Sequence, residues 1–384
     1  MKICILSSGY PSEGTPIFVF VEQLVINLVR QGVDVVVIAP QSLTRVVLGR
    51  RKLLPVKSTI NIDNVFSYKV YRPYCITVGD CFKPLSRLFS YFKRLTVDRI
   101  VKKEQPTVLY GHFWQNAYLL ERSARELNVP LFVACGEGDN AIEELLSSVS
   151  VDHKEKFIGI VSGVICVSTE NKNKCLKYNL AKEEKLIVLP NSVDTNLFRY
   201  DPSIGIREEL GINKEDFAVI FCGNFEPRKG PDRLAEAINK LDDNNIKVIF
   251  VGRPMPGNSV DPICEGIVFK GSVEHRELPK YLNSADIFVL PTRKEGCCNA
   301  IVEALACGLP VISSKGAFND DILNETNSIR INPDNVMEIL EAILNIRNDL
   351  QLRQKIVSHL IKTHSSYSLE NRTKKIIDFI ISKS

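Results

Sequence analysis

With 384 residues, 45% of them hydrophobic and 24% charged, the chain is long enough for two domains and has the make-up of a folded globular protein. No run of about 18 uninterrupted apolar residues occurs, which argues against a membrane-spanning helix. The net charge of +4 is uneven: residues 1–190 carry 25 Lys and Arg against 18 Asp and Glu, and the remainder 24 against 27.

In chain order, KICILSS (2–8) reads as a strand too short in apolar residues for a secretory signal, so a cytoplasmic protein is expected. A loop over 9–16 with Gly14 at its tip leads into a helix over 18–31. There Val21, Leu24, Val25, Leu28 and Val29 follow the helical period and Gly32 ends it. VDVVVIAP (33–40) is the next strand. Residues 83–103 hold seven basic groups and one acid, with Leu85, Leu88, Phe89, Phe92 and Leu95 at helical spacing. That pattern fits an ordinary helix packed on its sheet, or a basic amphipathic helix on an anionic membrane surface. PTVLYGH (106–112) is a strand ending at His112, followed by a helix over 114–127. VPLFVAC (129–135) is a strand that delivers Glu137 and Asp139 to its carboxyl end; Asp139 reads equally as a helix cap. SGVICVS (162–168) and KLIVLP (185–190) complete the first half.

Residues 190–203, PNSVDTNLFRYDPS, are rich in turn formers and without periodicity, which marks a connector. FAVIFCG (217–223), IKVIFVG (246–252), GIVFKG (266–271), ADIFVLP (285–291) and LPVISS (309–314) are the strands of the second half, with helices at 234–241 and 277–284. Beyond Ile331 the pattern is helical. The alternation predicts an α/β protein of two doubly wound parallel sheets. The most informative stretch is VLPTRKEGCCNAIVEALACGLPVISS (289–314), a strand, a loop, a short helix and a strand. It puts Glu295 in the loop and Glu303 on the helix, near the strand ends where such sheets bind ligands. The layout suggests a nucleotide-sugar site.

Four blocks in order resemble the retaining glycosyltransferases of family 4, of the type that builds bacterial surface polysaccharides: residues 10–40, residues 165–198, FCGNFEPRKG at 221–230, and the Glu295–Glu303 string. The resemblance implies a GT-B fold, two facing Rossmann-like domains with an interdomain cleft. An acceptor-binding domain would span 1–195, rejoined by a C-terminal helix at about 369–384, and a nucleotide-sugar-binding domain 196–368. It implies that Glu295 lies beside the donor sugar, that Glu303 holds the ribose hydroxyls, and that Lys229 meets the donor diphosphate. Asn299, Ala300 and Cys298 would add backbone at the helix start, and His112 would face the sugar. Gly252 and Val273 would border the base, and Gly14 would let backbone approach the phosphates.

Asn224 departs from the pattern, since many relatives carry arginine there; Arg228 is a partial substitute. Asn191 and Ser192 stand where relatives commonly have Asn-Gly. Glu137 and Asp139 are candidates for the acceptor. With no DxD motif, no metal and no cofactor are expected. The expected partners are a nucleotide-sugar donor, a saccharide or lipid-linked acceptor and an anionic membrane at its inner face, with no nucleic acid. Other GT-B activities, an epimerase or a phosphorylase, and a non-catalytic GT-B binding protein are the alternatives. The cysteines lack metal-ligand spacing and read mostly as small buried hydrophobes. Cys297 and Cys298, at a helix N-terminus, are expected to have lowered thiol pKa values.

Overall fold

The computed structural model describes residues 1–12, 17–49, 52–77, 83–137, 142–143, 146–147 and 151–384. The chain divides into two compact units. Unit 1 comprises Met1–Val167, Asn171–Leu189 and Arg372–Ser384; unit 2 comprises Ser168–Glu170 and Pro190–Asn371. The break falls at Leu189/Pro190, several residues before the expected one. The reason is local: Val193 accepts a backbone hydrogen bond from Leu369 and donates one to Tyr367, and Asn191 bonds Cys297, so the connector belongs to unit 2.

In unit 1 the strands are β1 (Lys2–Leu6), β2 (Asp34–Ile38), β3 (Gln41–Ser42), β4 (Lys57–Ile62), β5 (Phe66–Tyr71), β6 (Tyr74–Cys75), β7 (Val108–His112), β8 (Leu131–Cys135), β9 (Val161–Cys166) and β10 (Leu186–Val188). Eight of them form one sheet in the order β10-β9-β8-β7-β1-β2-β5-β4. Its pairs are parallel except β4–β5, a hairpin. Asp63 and Asn64 turn that hairpin with successive positive φ angles, the signature of primed turns. Neither strand of it was expected from the sequence, because β4 is half-exposed and lacks a long apolar run.

Alternate β1 residues feed two cores: Cys4 and Leu6 lie on one face, Ile3 and Ile5 on the other. A parallel sheet covered on both faces needs such unbroken apolar strands. The last helix, Leu369–Lys383, supplies Ile376, Phe379 and Ile380 to the second of these cores. Gly163 makes room for it, since a Cβ there would stand 2.8 Å from the rings of both Phe132 and Phe379.

Unit 2 holds β11 (Phe217–Cys222), β12 (Ile246–Val251), β13 (Ile267–Gly271), β14 (Ile287–Leu290), β15 (Val311–Ser314) and β16 (Ser328–Ile331), all parallel, in the order β13-β12-β11-β14-β15-β16. The order runs outward one way from β11 to β13 and the other way from β14 to β16. The strand direction of travel therefore reverses between β11 and β14, and a crevice opens at their carboxyl ends. In unit 1 the same reversal lies between β1 and β7.

Candidate functional site

The loops after β11 and β14 meet at the reversal in unit 2. After β11 the chain runs through Asn224, Glu226, Arg228 and Lys229 to Gly230, whose φ of 76° turns it into the helix Pro231–Leu241. A side chain at Gly230 would run into Arg233 and the Pro291 carbonyl, so only glycine fits. After β14 comes Glu295. Its Oε1 accepts from Lys229 Nζ at 2.6 Å, from Arg228 Nη1 at 2.9 Å and from Thr292 Oγ1 at 2.8 Å. Arg228 also reaches Glu226 Oε1 at 2.7 Å. Lys229 and Glu295 keep only 13% and 11% of their side chains exposed, so the pair is screened from water.

Burial, the largest influence on Lys229, works against its ammonium. Cys298 and Glu295 outweigh it and hold the pKa above the ordinary lysine value. Burial pushes the Cys298 thiol up, opposite to the lowering expected of a cysteine at a helix start. Desolvation defeats the helix dipole there, and Cys298 is a neutral thiol. The acidic partner of Lys229 is therefore Glu295, at 2.6 Å.

The helix Asn299–Ala306 starts beside this cluster, with Cys298 at the N-cap making no side-chain capping hydrogen bond. Its first N–H groups, Asn299 and Ala300 among them, are the intrinsic anion-binding end of a helix. Asn191 fastens the start, donating from Nδ2 to Asn299 Oδ1 at 2.8 Å and to the Cys297 carbonyl at 3.0 Å. One turn on, the buried Glu303 carboxylate meets His275 Nε2 at 2.8 Å. Asn224 is half-buried at the end of β11. Gly252 and Val273 follow the adjacent strands β12 and β13. Gly252 is dictated by packing, because a Cβ would stand 1.9 Å from the Gly223 carbonyl oxygen.

In unit 1, His112 ends β7 and is 9% exposed. Burial, aided by Arg372, lowers its pKa to about 3, so the ring is neutral at physiological pH. Its Nδ1 is buried and has no hydrogen-bond partner among the described residues. Asn116 Nδ2 donates to the His112 carbonyl at 2.5 Å and fixes the backbone. Glu137 has both carboxylate oxygens taken by backbone: Trp114 N–H donates to Oε1 at 2.5 Å and Gly136 N–H to Oε2 at 3.1 Å. It caps the helix Trp114–Leu127 from outside, and burial raises its pKa to about 7. Gly14 and Asp139 lie outside the described residues.

Residues 17–197 match the family model Glycosyltransferase Family 4, and residues 216–349 match Glycosyl transferases group 1. Between them the two matches take in the greater part of both units. The chain belongs to glycosyltransferase family 4. It is 26% identical over 319 residues to the UDP-Gal:alpha-D-GlcNAc-diphosphoundecaprenol alpha-1,3-galactosyltransferase of Escherichia coli, covering 78% of this chain and 80% of that one. It is 25% identical to the putative teichuronic acid biosynthesis glycosyltransferase TuaC of Bacillus subtilis, covering 94% and 93%. Among solved structures, HepE from Anabaena in complex with UDP shares the fold over the whole of both chains, with a TM-score of 0.73 at 18% identity. The architecture is the GT-B fold of this group.

Around the glutamate pair of this glycosyltransferase stand residues the sequence reading did not single out: Glu226, Thr292 and His275. Thr292 and Glu226 were legible as neighbours of the motifs. His275 was not, since it lies 28 residues from its partner and in no motif. Among the described residues, the side chains grouped as metal ligands are Cys135, Cys166 and Cys175, whose sulfurs lie within 4.8 Å of one another in the core of unit 1. They could offer three ligands to a soft ion. Sequence spacing hid them because adjacent strands β8 and β9 and the helix Thr169–Lys177 bring them together.

Proposed function

We propose that this family 4 enzyme is a retaining hexosyltransferase that takes a nucleotide-sugar donor and needs no metal. The observation that carries the reading is the buried Lys229–Glu295 pair at the strand reversal of unit 2, beside the start of the helix that bears Glu303. A diphosphate seated there would compete with Glu295 for Lys229, which would offset the charge that develops as the diphosphate leaves. Asn299, Ala300 and the Cys298 backbone would add helix N–H groups. Arg228, anchored to Glu226 and Glu295, supplies the guanidinium that Asn224 lacks. Glu303 would accept the ribose hydroxyls, with Gly252 and Val273 beside the base. Glu295, once relieved of Lys229, would take hydroxyls of the donor sugar. Retention would follow from same-face attack, the leaving diphosphate helping to take the acceptor's proton.

Unit 1 would bind the acceptor. The unpartnered Nδ1 of His112 supports a ligand-facing role, and the ring's neutrality suits it to orienting hydroxyls rather than donating a proton as imidazolium. Glu137 is the weaker acceptor candidate, given that its oxygens hold backbone. The names of the relatives from Escherichia coli and Bacillus subtilis support a saccharide or lipid-linked acceptor and a role in bacterial surface polysaccharide synthesis.

Among the described residues no helix is long and apolar enough to cross a membrane. The helix Lys83–Glu104 nevertheless exposes Leu88, Tyr91 and Phe92 while burying Val97 and Val101. A cytoplasmic enzyme held peripherally on anionic lipid fits that division. The deciding experiment is thermal stability with UDP, GDP, ADP and CMP and their sugars in the presence of EDTA. A ligand at about 100 times its Kd adds about 2.7 kcal/mol. One nucleotide series raising the Tm under EDTA is the expected result; a shift that appears only when a divalent ion is restored would overturn metal independence.

A further inference from the structure

We infer that His275 is a positioning residue for the donor: it holds the Glu303 carboxylate aimed so that it can accept the vicinal hydroxyls of the donor ribose. The inference rests on the proposed donor role of Glu303. A buried carboxylate that is to accept both hydroxyls of a diol must have its plane held toward them. Glu303 is such a group: it is 7% exposed, on a helix whose neighbouring residues Ile301, Val302, Ala304 and Leu305 are fully buried. The described structure gives it one hydrogen-bonding side chain, His275, at 2.8 Å from Oε1.

The histidine is itself placed by structure. It follows β13, and its ring lies against the fully buried Phe198, with ring centroids 5.1 Å apart. That aromatic wall leaves Nε2 turned to Glu303. Other titratable groups around the pair cannot replace it. Cys222 on β11 and Cys307 at the end of the Glu303 helix are thiols pushed up by burial, so both are neutral. On the loop of His275 itself, Glu274 and Arg276 are exposed and paired with each other at 2.8 Å.

Burial, the largest influence on His275, disfavours its imidazolium, but the hydrogen bond to Glu303 and its charge outweigh that and raise the pKa. The ion pair thus stabilises the fold fully below the unfolded histidine pKa and fades as pH rises through the raised value. A neutral ring that keeps its proton on Nε2 still donates to Glu303, so donor KM in the native enzyme is expected to stay flat across neutral pH.

The test is the pH profile of KM for the nucleotide sugar, on the full chain, with Tm recorded for each variant. His275→Ala is expected to raise donor KM about tenfold, as for a lost hydrogen bond to a charged group, with kcat much less affected. His275→Gln, whose amide nitrogen reaches where Nε2 stood, should restore a low and flat KM. If the alanine variant does not fold, His275→Asn, whose amide stops short of Glu303, takes its place. A donor KM that matches the native profile in the alanine or asparagine variant overturns the positioning role. Glu303→Gln measured in parallel separates the two ideas: an unchanged donor KM there removes Glu303 from the donor site and the inference with it.

Discussion

Lys229 is a structural group in the free enzyme and, on the proposed reading, a chemical one when the donor diphosphate is seated. In the free enzyme it neutralises Glu295 in a site with little water, and removal of either partner leaves the other buried. Arg228 and Thr292 remain on Glu295, so loss of the lysine spares the loop. Lys229→Ala is therefore expected to lower kcat about 100-fold or more, as for loss of a donor aimed at developing charge, while the Tm moves little. Steady-state kinetics with circular dichroism melts check both halves of that expectation. Wild-type turnover would remove the lysine from the diphosphate. The thiols carry a different lesson at this scale. Cys298 has the helix position that lowers a pKa, yet burial wins and raises it.

Close backbone approach helps to hold the elements at the site. The ends of β11 and β12 come together where Gly252 passes the Gly223 carbonyl, and Gly252 N–H bonds the Gly271 carbonyl at 2.8 Å. Gly252→Ala forces those strand ends apart, at a cost of about 1–3 kcal/mol. A Tm lower by several degrees is expected. Gly271→Ala is the control, since its nearest neighbour atoms are in the Phe269 ring at 3.6 Å, an ordinary contact. Equal melting of the two variants would show that the loop relaxes without strain. The helix Asn299–Ala306 is short and has no side-chain cap, so Asn191 and the flanking strands determine where it begins.

Across the whole molecule, the positive charge is concentrated in the first half, where residues 1–190 carry 25 Lys and Arg against 18 Asp and Glu. The exposed Leu88, Tyr91 and Phe92 lie in the segment that carries most of the positive excess. Vesicles of anionic lipid are expected to retain the protein at low salt and release it at high salt, as screening shortens the reach of the charges. Co-sedimentation assays read this directly. Retention by neutral vesicles alone would point to the apolar side chains without the charges, and no retention on either would leave the helix an ordinary packed one.

Much of this was legible before folding. Apolar strands such as VDVVVIAP and FAVIFCG can only be covered on both faces, so their alternation with helical periods already implied two doubly wound sheets. Glu295, Lys229 and Glu303 were legible too, because they sit in loops and helix starts that local pattern locates. The β4–β5 hairpin escaped because its half-exposed strands carry a weak apolar signal. The trio Cys135, Cys166 and Cys175, the hold of Glu137 on backbone N–H groups, and the pairing of His275 with Glu303 were decided by tertiary structure alone. Each depends on residues far apart in the chain being set side by side by strand order.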